Sequence, residues 1–129
     1  MLFNEVMKLS NIELRVRVAM LLGATRTRGT GGIGIEGYWL ENDEGRGERW
    51  QPIEDYPNDI AAAWELAEKA GLSVYRVENT NLWWSGILYA NAGGDYWWEV
   101  GPVEAETAAL AITRAFVLVK EDDNETCKD

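Results

Sequence analysis

Three glycines in the first third of the chain have the spacing of a phosphate-binding loop. Gly29, Gly31 and Gly34 fit the G-x-G-x-x-G pattern, in which backbone amides at the start of a helix hold a pyrophosphate group. In this chain an extended stretch, Ile35 to Leu40, follows the glycines where the pattern requires a helix. We therefore interpret the glycines as a flexible or bulged loop and expect no cofactor.

Glu54, Asp55 and Asp59 form a cluster of carboxylates that could serve as a general acid and base. The same acids precede a predicted helix, and stabilisation of its positive end is the simpler explanation. The chain has no histidine, the side chain most often used for proton transfer near neutral pH. Cys127, the single cysteine, lies in a polar segment without partners for metal binding or nucleophilic chemistry. We assign no catalytic residue and no metal site, and an enzyme is the least supported function class.

Positive charge is concentrated near Arg26 and Arg28, where it could hold a phosphate or an acidic partner. Arg15 and Arg17 lie upstream and project differently from a predicted helix, so only one of them would reach this segment. A solvated face paired with surface acids is the simpler explanation. Arg26 and Arg28 are nevertheless kept as binding candidates.

The chain contains seven tryptophans and five tyrosines, more aromatic residues than core filling usually requires. Exposed indoles often anchor interfaces or stack on bases, and several of these residues lie in a glycine-rich segment. Glu99 directly follows Trp97 and Trp98. A carboxylate buried among indole rings without a partner would mark a functional site. An arginine or water at the sheet end could equally satisfy that charge. The predicted binding residues are Trp39, Trp50, Tyr38, Arg26, Arg28 and Glu99.

The net charge of −10 arises from 22 acidic and 12 basic residues. Binding along a nucleic-acid backbone or on an acidic membrane requires clustered basic side chains, so neither is expected as a direct partner. The most apolar early run, Val16 to Leu22, is too short to span a bilayer. Arg15 and Arg17 interrupt what would be the apolar region of a signal peptide. One cysteine can form no internal disulfide, which fits a reducing compartment. We expect a cytoplasmic protein.

Three helices are expected to position these residues. A capping box of Ser10 and Glu13 predicts a helix over residues 11–22. Apolar residues at helical spacing predict a second helix over residues 58–70. A third helix follows Pro102, with an apolar stripe made up of Ala105, Ala108, Ala109, Ile112, Ala115, Phe116 and Val119.

Four extended segments are predicted, and the last two form a hairpin. With a four-residue loop, that hairpin would place Tyr89 opposite Tyr96 and Leu88 opposite Trp97. Large side chains would then cover both of its faces, and a sheet that is apolar on both faces needs helices on both faces. The extended segments are residues 33–40, 72–77, 82–90 and 96–100.

The predicted fold class is therefore α+β, a three-layer α/β/α sandwich with a mainly antiparallel four-stranded sheet and about three helices. No linker or internal repeat divides the chain, so one domain is predicted over residues 1–119. Residues 120–129 are strongly charged and lack apolar periodicity, which predicts an acidic disordered tail.

Three segments resemble the phage ABA-sandwich domain, a family of small proteins encoded by bacteriophages and prophages. They are LRVRVA at residues 14–19, YPNDIAAAWE at residues 56–65 and EAETAALAI at residues 104–112, and the second is the most specific. The resemblance implies a phage origin and an α/β/α sandwich. It implies no activity and no set of binding residues.

Two functions are expected from these observations. The first is a small phage-encoded interaction protein that binds a host or phage macromolecule, or a second copy of itself, through the surface near Trp39 and Trp50. Its acidic charge would suit an inhibitor of a host defence or nucleic-acid-binding protein. The alternative is a small-molecule binder that stacks a nucleotide-like base on aromatic rings and holds a phosphate with Arg26 or Arg28.

Overall fold

The computed structural model describes the backbone of residues 3–23, 26–29, 35–41, 48–52 and 54–126, and the side chains of residues 3–23 and 54–121. Within these residues the chain forms four helices and six strands. The helices are α1 (Phe3–Met7), α2 (Asn11–Leu21), α3 (Ile60–Ala70) and α4 (Ala108–Thr126). The strands are β1 (Arg26–Gly29), β2 (Ile35–Glu41), β3 (Glu48–Pro52), β4 (Ser73–Arg76), β5 (Trp83–Ala90) and β6 (Tyr96–Ala105).

The described strands form two antiparallel sheets of three strands each. The N-terminal sheet has the order β1-β2-β3, and the C-terminal sheet has the order β4-β5-β6. The prediction of one four-stranded sheet is therefore wrong. The glycine-rich segment, from which a strand or a loose hairpin was expected, instead supplies three strands, with β2 paired to both β1 and β3. Trp39 of β2 lies opposite both Arg26 of β1 and Trp50 of β3.

The helices predicted over 11–22 and 58–70 are confirmed as α2 and α3, because local signals define both. At the start of α2 the Glu13 amide donates to Ser10 Oγ at 3.1 Å, and the Ser10 amide donates to Glu13 Oε1 at 3.2 Å. α3 begins after Asp59, whose Oδ1 accepts from the Ala61 amide at 3.0 Å. It ends at Gly71, where a φ of 67° favours glycine.

Replacing Asp59 with alanine should lower the free energy of unfolding by about 1 kcal/mol. The amides of Ala61 and Ala62 would both lose their side-chain acceptor. Urea denaturation of the variant and the parent protein measures the difference. Asp59→Asn keeps a capping oxygen and is the matched control, so an equal loss in both variants would argue against the capping role.

α4 begins later than predicted, because residues 104 and 105 belong to β6. The strand register pairs Glu104 with Trp84 and Ala105 with Trp83. Ala105 matched the helical stripe because it is buried in the same core, but from the end of a strand. Thr107 then caps the helix, its Oγ1 accepting from the Leu110 amide at 3.2 Å.

The backbone of α4 runs to Thr126 and so overlaps the segment predicted as a tail, residues 120–129. The division into a domain and a tail remains a prediction. α1 was not predicted, because its five residues are too few to show a helical period. The structure thus has four described helices where about three were expected.

β5 and β6 form the predicted hairpin, but in a different register. Tyr89 pairs with Trp97, one position further along β6 than expected. The loop explains the shift, because the Asn91 amide donates to the Asp95 carbonyl at 3.0 Å and its Oδ1 accepts from the Asp95 amide at 3.0 Å. Gly94 adopts a φ of 86° between them. The expected four-residue loop would require a different turn.

The core is built around α4, which packs against α2 and α3 and also against all three strands of the C-terminal sheet. Burial of each large apolar side chain there contributes about 1.5–3 kcal/mol relative to exposure. The largest fully buried apolar side chains are Phe116, Leu14, Leu66, Ile112, Val6, Val18, Val103 and Val117.

The C-terminal sheet is covered on one face and open on the other. Val74 and Val103 pack into the core on the α4 side. On the opposite side Tyr75 is 51% exposed and Leu88 is 39% exposed. The prediction of a three-layer α/β/α sandwich is therefore wrong, although the overall α+β class holds. α4 packs against one face of this sheet, and α2 and α3 pack on α4 instead of on the second face.

Candidate functional site

Aromatic and apolar side chains of all three strands lie together on the uncovered face of the C-terminal sheet. Tyr75 of β4 pairs with Trp84 of β5, and Leu88 of β5 pairs with Trp98 of β6. Tyr96 lies two positions before Trp98 and therefore shares its face. These five residues are called the open face.

The open face contains a shallow groove of about 260 Å³, lined by Tyr75, Trp84, Leu88 and Trp98. The rings of Tyr75 and Trp84 lie 6.3 Å apart between centroids and are tilted by 37°, so they form one wall. Tyr96 continues the surface toward the hairpin tip and is 69% exposed. Clustered exposed aromatic residues of this kind are typical of a binding surface.

The hairpin tip also carries aromatic residues on its other side. Tyr89 and Trp97 stack at a centroid distance of 4.7 Å, and both remain exposed. Both faces of the hairpin are therefore aromatic, as the sequence predicted. Helix α4 nevertheless covers only the base of the hairpin, near Ser85 and Val103.

A carboxylate lies at the base of the open face. The Trp84 indole Nε1 donates to Glu104 Oε2 at 3.1 Å, and Glu104 is itself exposed. Arg114 of α4 donates from Nη1 to the Glu104 backbone carbonyl at 2.8 Å and so ties this part of β6 to the helix. These two hydrogen bonds hold the Glu104 carboxylate beside the indole edge of Trp84.

The environment of Arg114 is partly desolvated. Burial lowers the pKa of its guanidinium, and the carboxylate of Glu106 acts in the opposite direction. Its Nε atom is buried and has no hydrogen-bond partner among the described residues. Arg114 therefore ties α4 to β6 through the Glu104 backbone.

Five of the six predicted binding residues lie in the N-terminal sheet. The register places Arg26 opposite Trp39, Trp39 opposite Trp50, and Arg28 opposite Gly37. Tyr38 precedes Trp39 on β2. The backbone thus brings Arg26, Trp39 and Trp50 side by side, while the side chains of all five lie outside the described residues. Their role in binding remains a prediction.

Glu99, the sixth predicted residue, lies on β6 and is exposed, so the burial that would have marked it as functional is not present. It falls where the register between β5 and β6 shifts, and no β5 residue pairs with it. Glu99 is therefore separate from the arginines and tryptophans of the N-terminal sheet in sequence and in strand pairing.

The acidic cluster before α3 is held by local contacts. Asp59 caps the helix, and Asp55 accepts from the Asn58 side-chain amide at 3.3 Å. Gly29 ends β1, whereas Gly31 and Gly34 lie outside the described residues. Within the part of the chain that the structure describes, no group of three or more acidic, histidine or cysteine residues is placed to hold a metal ion.

Sequence reasoning missed Tyr75 and Tyr96 as surface residues. Both belong to strands that were predicted to lie between helical layers, where their rings would have been covered. The available signal was the aromatic pattern on both faces of the hairpin, combined with too few helices to cover both. None of the helices that the structure describes is long and apolar enough to cross a membrane.

The chain is similar in fold to a phage protein from Bacillus cereus ATCC 14579, whose crystal structure matches with a TM-score of 0.50. The match covers 86% of this chain and 92% of that chain, at 16% sequence identity. At this identity the likeness shows the fold alone. No protein-family model matches the sequence, and no curated protein matches it. The resemblance to the phage ABA-sandwich domain therefore gains no support as a family assignment.

Proposed function

We propose that the protein is an interaction module that binds another protein through the open face of its C-terminal sheet. The observation that supports the proposal is the uncovered cluster of aromatic residues, which includes Tyr75 at 51% and Tyr96 at 69% exposure. Aromatic anchors of this kind provide much of the binding energy in protein interfaces. The surface near Trp39 and Trp50 that the sequence indicated is a separate candidate site, on the N-terminal sheet.

The proposed setting is a host cell infected by a phage. The structurally similar protein from Bacillus cereus is a phage protein, and the sequence resemblance to small phage proteins points the same way. The proposed location is the host cytoplasm. A net charge of −10 adds the more specific hypothesis that the partner is a basic host protein, such as one that binds nucleic acid.

The structure offers less support for a nucleotide-like ligand. Such a ligand would need a cation beside the aromatic rings to hold its phosphate. The groove on the open face is lined by Tyr75, Trp84, Leu88 and Trp98, none of which is basic. The arginines proposed for phosphate binding, Arg26 and Arg28, lie on β1 of the other sheet.

Replacing Tyr75 and Tyr96 together with alanine should weaken binding of the partner by about 30-fold or more, because the loss of even one anchor residue costs about 2 kcal/mol. The measurement is quantitative capture from host lysate, followed by titration of the purified captured protein. Both tyrosines are exposed, so their loss should leave the fold intact.

Trp64→Ala is the matched control for this experiment. Trp64 is 50% exposed but lies on α3, which packs mainly on α4. It tests whether any exposed aromatic residue retains proteins from a lysate. Equal capture of the partner by the parent protein and by the double tyrosine variant would refute the proposed function. It would also be refuted if Trp64→Ala lost as much capture as the double tyrosine variant.

A further inference from the structure

The groove on the open face is small and shallow. Its volume of about 260 Å³ lies below the roughly 300–1,000 Å³ usual for small-molecule sites. Three of its four lining residues, Tyr75, Trp84 and Trp98, present aromatic rings. Aromatic faces attract lysine ammonium and arginine guanidinium groups through their negative electrostatic potential.

Glu104 supplies a negative charge at the base of the same face. Its Oε2 accepts from the Trp84 indole, and its Oε1 accepts no hydrogen bond from the residues that the structure describes. The indole N–H is a neutral donor, and none of the described lysine or arginine side chains forms an ion pair with this carboxylate, although Arg114 binds the Glu104 backbone carbonyl. A cation on the ring face of Trp84 could therefore approach the carboxylate at the ring edge.

Charge decides against a second copy of this chain as the occupant. Two molecules that each carry a net charge of −10 would repel as they approach. The exposed acids Asp95 and Glu99 lie on the hairpin that forms the open face, so repulsion would be concentrated at the contact. A positively charged partner gains from the same arrangement.

We infer that the open face binds a basic segment of its partner and seats a lysine or arginine side chain against Tyr75, Trp84 and Trp98, beside the Glu104 carboxylate. This inference rests on the proposed function and specifies the chemistry of the partner. The aliphatic part of the basic side chain packs on Leu88 and the rings, and the charged end lies near Glu104.

The test uses the full chain and an oligoarginine peptide as the probe, with affinity measured by isothermal titration calorimetry at low and high salt. The parent protein should bind the peptide at low salt and bind it more weakly at high salt. Tyr75→Ala should weaken binding by about tenfold, the size of a strong cation–π contact. Glu104→Gln keeps an acceptor for the Trp84 indole but removes the charge, and should weaken binding by about threefold. An uncharged glycine-serine peptide of equal length should not bind.

Two variants on α3 are the matched controls, because diffuse attraction to an acidic protein could also bind oligoarginine. Glu65→Gln removes one exposed acid, and Trp64→Ala removes one exposed ring, both away from the C-terminal sheet. Equal weakening by Glu65→Gln and Glu104→Gln, or by Trp64→Ala and Tyr75→Ala, would overturn the inference.

Two further outcomes separate this inference from the proposed function. If the double tyrosine variant loses its lysate partner while oligoarginine does not bind the parent protein, the open face is an interaction site but not one for a cation. If light scattering shows a dimer that Tyr75→Ala converts to a monomer, a second copy occupies the face. Either result overturns the inference, and the first of them leaves the proposed function standing.

Discussion

Replacing Phe116 with alanine should lower the free energy of unfolding by about 3–5 kcal/mol. Phe116 is 1% exposed and is the largest fully buried side chain among the described residues. It lies on α4, the helix that packs against α2, α3 and the C-terminal sheet at once. Removal of the ring therefore leaves a cavity where several elements meet, and these elements cannot all move inward to fill it.

Urea denaturation at constant temperature gives the change directly, provided that the slope of the transition is unchanged. The total free energy of unfolding of most domains is only about 5–15 kcal/mol, so this loss would leave the variant close to the limit of folding. Phe116→Leu is the milder companion, because it keeps most of the apolar volume. Trp64→Ala, at a site 50% exposed, should change stability by only about 0.5 kcal/mol. A loss for Phe116→Ala as small as that for Trp64→Ala would show that α4 does not organise the core.

Replacing Gly86 with alanine should destabilise the protein by about 1–3 kcal/mol, the usual cost of forcing extra atoms into a packed site. Gly86 is buried on β5 at the point where the pairing with β6 shifts register. An added Cβ would overlap the backbone carbonyl oxygen of Val100 and would lie 3.2 Å from Trp98 Cε3. A backbone oxygen can give way only if the two strands separate.

The same substitution should also displace Trp98, which lines the groove of the open face. We therefore expect Gly86→Ala to weaken oligoarginine binding as well as stability, measured by calorimetry and urea denaturation on the same sample. Gly93→Ala is the control, because its Cβ would meet only the Asn91 side-chain oxygen, at 3.3 Å. A side chain can shift more easily than a strand, so the loss there should be smaller. A larger loss for Gly93→Ala would rule out close strand contact as the role of Gly86.

The open face would make binding and stability separable in this protein. Tyr75 and Tyr96 extend into solvent from strands whose other face is held by α4. Substitutions there should alter recognition with little effect on unfolding, whereas substitution of Phe116 should act on unfolding and substitution of Gly86 on both. This separation allows the proposed function to be tested without loss of the fold.

The charge of the protein has a second consequence for recognition. A basic partner would be drawn toward a molecule of net charge −10 from a distance, so salt should slow association as well as weaken the complex. The contact with Tyr75 and its neighbours depends less on salt, because desolvation of the rings is short-ranged. The two contributions can be separated by comparing Tyr75→Ala and Glu104→Gln across salt concentrations.

The sequence alone was sufficient for features set by neighbouring residues. The capping box of Ser10 and Glu13 located α2, and apolar residues at helical spacing located α3 to within two residues of its start, because both signals are local. The α+β class and the presence of the hairpin followed from local periodicity and from the turn residues at 91–94.

Features that depend on distant pairing were predicted wrongly. Ala105 fits a helical stripe, and only its pairing with Trp83 shows that it ends a strand. Asn91 and Asp95 set the hairpin register through hydrogen bonds that composition does not reveal. The candidate site was predicted wrongly for the same reason. The sequence around Tyr75 is the same whether the tyrosine ring is covered by another element or exposed.

The sequence by itself determined that this protein has a helical and extended framework, a strongly acidic charge and more aromatic residues than one core requires. Tertiary structure alone decided which aromatic residues meet water. The strands divide into two sheets and the helices gather around α4, so Tyr75, Leu88 and Tyr96 lie on a face that no described helix covers. The physical reason is that burial depends on which surfaces meet after folding, and a residue's neighbours along the chain do not determine that.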